Sequence, residues 1–101
     1  MKKIIIALIS ILICVAAFAG TKKLSNGEVV FWRDQTELIQ YNSYSVEVSL
    51  SGKCDFNVWG EVSLGGQSKS FMIRAGETKA YVDFENLENG RRYSISVRVN
   101  N

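Results

Sequence analysis

The chain has 101 residues, with 12 lysines and arginines against 10 aspartates and glutamates, no histidine, no proline and two cysteines. The lack of histidine excludes a His-based general base and a His/Cys zinc cage, and two cysteines cannot build a disulfide framework. A net charge of +2 argues against nucleic acid or an anionic membrane as partner, since both draw clusters of basic residues.

Met1, Lys2 and Lys3 make a short basic start, and residues 4–19 follow with Ser10 as their only polar member. Ala17 and Ala19 then place small residues three and one positions before Gly20. This order of basic, apolar and small residues predicts a cleavable secretory signal over 1–19, cut between Ala19 and Gly20. Sixteen apolar residues fall short of the ~20 that span a bilayer, which disfavours an uncleaved anchor. Ile13, where a small residue would be needed, disfavours lipidation at Cys14. Cleavage leaves 82 residues, ten basic and ten acidic, enough for one small domain. The expected product is a secreted bacterial protein, extracellular or periplasmic, with no membrane attachment after cleavage. Residues 20–27 read as a flexible lead-in and 28–101 as the folded domain.

From there on, apolar residues alternate with polar ones and never recur at helical spacing. Segments 29–33 and 37–41 are apolar but irregular. The clearest strand is 44–51, with Tyr44, Val46, Val48 and Leu50 on one face and serine or glutamate on the other. Residues 54–64 continue the pattern, with Cys54, Phe56, Val58, Gly60, Val62 and Leu64 inward. Phe71, Ile73 and Ala75 repeat it, as do Ala80, Val82 and Phe84, then Tyr93, Ile95, Val97 and Val99. Glycines at 27, 52, 65, 66, 76 and 90 punctuate the alternation and suit tight antiparallel connections. Seven strands with one apolar face each predict an all-β antiparallel sandwich.

The stretch 84–97 resembles a fibronectin type III domain, an immunoglobulin-like β-sandwich. Leu87, Gly90, Tyr93, Ile95 and Val97 match the family's Leu-x-x-Gly-x-x-Tyr-x-Ile/Val-x-Val corner. The resemblance implies that Leu87 anchors the crossing between sheets and Gly90 permits the turn. It also implies that the Tyr93 ring is buried while its hydroxyl bonds the backbone within 85–90. It implies a module that binds or spaces, and not a catalyst. Two features depart from the family pattern: 44–51 has no tryptophan, and no final strand follows 93–99, so that edge is either taken by 29–33 or open.

Trp59 stands in the polar phase of its strand with Asp55, Asn57, Glu61 and Ser63, and Tyr81 is likewise out of phase with Ala80 and Val82. A flat indole on a sheet face suits a sugar ring or a protein hot spot. The expected contact set is therefore Trp59, Asn57, Glu61, Asp55 and Tyr81, although packing beneath a neighbouring segment would also account for Trp59. Asp55 and Glu61 are some 20 Å apart along one extended strand, beyond the 5–9.5 Å of a glycosidase pair. Asp83 and Glu85 read as a solvated face and not a calcium site, so no cofactor and no metal is expected. Cys54 is either buried in the core or free for an intermolecular disulfide. Three functions remain. The first is a non-catalytic module that recognises a protein or glycan at the cell surface or outside the cell. The second is a subunit of a surface assembly, joined to others or to itself by strand addition at an open edge. The third is a small hydrolase or protease inhibitor.

Overall fold

The structure, a computed structural model, describes residues 20–100; the secretory segment expected over 1–19 lies outside the described residues. Seven strands form here: β1 (Gly20–Lys23), β2 (Val29–Trp32), β3 (Tyr44–Leu50), β4 (Val58–Leu64), β5 (Gln67–Ile73), β6 (Lys79–Phe84) and β7 (Ile95–Val99). They build two antiparallel sheets, ordered β1-β2-β3-β6 and β5-β4-β7. The described residues form an all-β sandwich. Val30, Trp32, Val46, Val48, Val82 and Phe84 of the first sheet face Val58, Val62, Leu64, Phe71, Ile73 and Ile95 of the second, and all are buried. Burial of this apolar surface is the main force holding the sheets together. The β4–β5 hairpin turns through Gly65 and Gly66, both with positive φ, in the two-residue loop that matches strand twist.

Four local readings need correction. The strand expected from Phe71, Ile73 and Ala75 is β5, Gln67–Ile73, and Ala75 is exposed beyond its end. Residues 37–41 form no strand, because Ile39 alone of their apolar side chains is buried while Leu38 and Tyr41 project outward. The seventh strand is instead β1, in the segment expected to be a flexible lead-in. Gly20 makes this pairing fit: a Cβ there would collide with the Trp32 indole lying across it. Finally, β4 starts at Val58 and not at residue 54. Residues 54–57 turn instead, held by the Gly76 N–H on the Cys54 carbonyl (2.9 Å) and the Ala75 N–H on Asn57 Oδ1 (2.9 Å). Phe56 consequently is only half-buried, whereas Cys54 is buried, with its thiol near Asn26 Nδ2.

The corner after β6 has the expected hydrogen bond and turn, but its tyrosine ring is only half-buried where a buried one was expected. Leu87 is buried, Gly90 has φ of 77°, and the half-buried Tyr93 ring packs over Gly65. The Tyr93 hydroxyl accepts the Glu88 N–H at 3.0 Å, and the Arg91 guanidinium lies 4.8 Å from the ring centroid. Thr36, itself buried, fastens the same residue from the other sheet's side. Its N–H donates to the Tyr93 carbonyl and its Oγ1 accepts the Tyr93 N–H, both at 2.9 Å.

The two bonds to Tyr93 should differ in worth. Thr36→Val keeps the side-chain shape but leaves a part-buried N–H without its acceptor, at about 1–3 kcal/mol. Tyr93→Phe frees only the exposed Glu88 N–H, which water can satisfy, and should cost under about 1 kcal/mol. Urea unfolding of both variants checks the ranking.

Candidate binding face

β4 is the central strand of its sheet, so its register decides what the outer face carries. Residues 58–64 pair continuously with β5 and residues 60–64 with β7, with no bulge to reverse the phase. Val58, Gly60, Val62 and Leu64 therefore point inward and Trp59 outward, with 47% of its surface exposed. Gly60 lets β7 close on β4: a Cβ there would meet the Arg98 carbonyl, with the Phe71 ring 3.0 Å away.

Directly opposite Trp59 in the register lies Met72 of β5, 50% exposed. Side chains opposite one another on one face interact, so the indole and the thioether form one apolar patch. Glu61 and Ser70 stand one pair along from it on this face, and Ser63 and Ser68 two pairs along. Glu61 pairs with Arg98 at 3.3 Å across β4 and β7, and the Ser63 and Ser68 hydroxyls meet at 2.8 Å.

The five expected contact residues do not gather into one site. Trp59 and Glu61 share the outer face of β4. Asn57 and Asp55 precede the strand, and Asn57 Oδ1 is engaged by Ala75, so its role is to shape the turn. Tyr81 belongs to the other sheet, where its hydroxyl meets Glu47 at 3.3 Å. Met72 was missing from the expected set, although its phase between the buried Phe71 and Ile73 marks it as outward.

Tyr81 lines a separate cleft of about 340 Å³ with Arg33, Tyr44 and Glu47. The cleft arises because β2 pairs with β3 only as far as Val48, and the chain then crosses to the other sheet. Around Asp83 and Glu85, Lys69 Nζ donates to the Asp83 carbonyl and Gln67 Nε2 to that of Glu85, both at 2.6 Å. Among the described residues, no three His, Cys, Asp or Glu side chains gather as a metal would require.

Comparison with known proteins yields no match to a family model, a curated protein or a solved structure.

Lys79 on β6 bridges to Glu47 at 3.0 Å. The hydrogen bond that Lys79 donates to Glu47 raises the ammonium pKa above its usual 10.5, with the charges of Glu47 and Tyr81 adding to it. A raised pKa stabilises the fold fully below about pH 10.5, and this contribution vanishes as pH rises through the folded value. Lys79→Met should therefore lower the melting temperature slightly and equally at pH 7 and 9, and the difference should shrink above pH 10.5. Thermal scans across that range test the sign.

Proposed function

We propose that the chain is an exported, non-catalytic binding module that recognises a protein through the outer face of β5-β4-β7. The carrying observation is the Trp59–Met72 pair, two large apolar side chains half exposed in register on neighbouring strands. A flat aromatic beside a flexible thioether suits a protein surface, where such residues dominate contact energy. A glycan would need free polar groups around the indole. Here Glu61 is held by Arg98 and Asn57 Oδ1 by Ala75, and the thioether opposite the indole offers a sugar only a weak acceptor. The chemistry therefore favours a protein partner over a sugar. The absence of histidine and the engagement of Glu61 by a guanidinium support a non-catalytic role. Export rests on the basic, apolar and small-residue order before Gly20.

Two measurements test this reading. N-terminal sequencing of the product exported by its source cells should begin at Gly20. Trp59→Ala should unfold within a few degrees of the parent, since the side chain leaves the core intact, and should lose most binding to those cells. Binding should survive glycosidase treatment of the cells and fail after protease treatment. A variant that unfolds makes Trp59 a packing residue, and one that binds as well as the parent places the contact elsewhere.

A further inference from the structure

Hydrogen-bond direction along β7 separates its two sides. The Asn100 N–H donates to the Trp59 carbonyl at 2.9 Å, so residues 96, 98 and 100 turn their backbone groups toward β4. Ile95, Val97 and Val99 turn theirs away. The start of that outer side is covered, for the Ile95 N–H donates to the Asp34 carbonyl at 2.8 Å and the Thr36 N–H to Tyr93. Beyond Ile95, no strand pairs with it among the described residues.

The other three sheet edges are guarded. On β5, Lys69 shares the core-facing side with Phe71, and an inward-pointing charge on an edge strand blocks pairing with a foreign apolar strand. The outer edge of β6 is capped by Lys69 and Gln67, which take the Asp83 and Glu85 carbonyls. On β1, Lys22 lies opposite the buried Val30 and so stands on the core-facing side of that edge. β7 carries no such guard. Its core-facing residues beyond Ile95 are Val97 and Val99, both half-buried. β1 comes close to β7 across the side of the sandwich without pairing with it, and Lys22 makes no ion pair among the described residues.

We propose that the outer edge of β7 at Val97 and Val99 accepts an extended segment of a partner protein. Two alternate apolar side chains of that segment complete the core beside the valines, and a carboxylate in the same phase meets Lys22. Backbone pairing supplies affinity and the alternate side chains supply selection, as in other strand additions. A second copy of this chain fits less well. The core-facing residues of β7 are Ile95, Val97 and Val99, so a second β7 offers no carboxylate to Lys22 and brings a second lysine beside the first.

The test uses the mature chain and a capped seven-residue synthetic peptide, with valine at two alternate positions, glutamate at the next and threonine between. At ten times the peptide Kd, exchange of the Val97 and Val99 amides should slow about ten-fold. Lysine in place of the peptide's glutamate should weaken binding, and Lys22→Glu should reverse that preference. Val97→Pro removes an outward N–H that the β4 pairing does not use, and should abolish peptide binding. Should that variant fail to fold, Val99→Lys, which copies the guard on β5, should do the same. Trp59→Ala should leave peptide binding unchanged, which separates this edge from the outer face. The proposal is overturned if saturating or millimolar peptide leaves both amides unprotected, or if folded Val97→Pro or Val99→Lys binds as the parent does. It is equally overturned if the two amides are already protected in a concentration-dependent dimer, for then the occupant is a second copy.

Discussion

Thr36 and Tyr93 exchange two backbone-directed hydrogen bonds across the gap between the sheets, and the rest of the architecture depends on that junction. Apolar contact alone is non-directional and would let two small sheets slide. Directional bonds remove that freedom. The Ile39 N–H donates to the Arg91 carbonyl and the Gly90 N–H to that of Ile39, both at 3.0 Å, while the Asp34 carbonyl takes the Ile95 N–H. Residues 34–39 thus serve as an irregular partner for 90–95. They carry the chain from β2 toward β3 while bonding the segment that becomes β7. This domain has no disulfide among its described residues, and these bonds fill the part that a cross-link would play.

The same junction explains which parts of the fold were legible from residue order. Strict alternation is a local property, and where it held, in β3, β4, β6, β7 and the Phe71–Ile73 end of β5, inward and outward faces followed directly. The corner residues Leu87, Gly90 and Tyr93 were also legible, because their spacing expresses one turn and one ring. Residues 37–41 misled because their apolar content answers to a single anchor, Ile39, and their backbone bonds reach across to 90–91 instead of forming a ladder. β1 was hidden for the opposite reason. Gly20, Thr21, Lys22 and Lys23 contain no apolar signal, and the strand exists because Trp32 needs a neighbour without a side chain.

The outer face was half legible. Phase along β4 placed Trp59 outside and Glu61 beside it, as the structure has them. Phase cannot say which strands are neighbours, and Tyr81 was grouped with Trp59 only because both broke pattern. Strand order puts β6 in the other sheet and β5 next to β4, which exchanges Tyr81 for Met72 as the companion of the indole. Asn57 and Asp55 fell out because alternation extrapolated four residues too far, into a turn where the Asn57 amide satisfies the backbone.

The face and the edge are features of one sheet and are separated by a single strand. β7 bonds β4 through Asn100 and Trp59 on one side and presents Val97 and Val99 on the other. Of its outward-phase side chains, Arg98 stands diagonal to Trp59 and is tied to Glu61. A strand added beyond Val97 and Val99 would fill the inter-sheet space with one set of side chains. Its other set would extend the outer face past Arg98. Occupancy of the edge would thus enlarge the very surface that carries the exposed indole while leaving the indole uncovered. Gly60 sets the spacing between them, since its missing Cβ allows the Arg98 carbonyl, and with it β7, to lie close against the strand that bears Trp59.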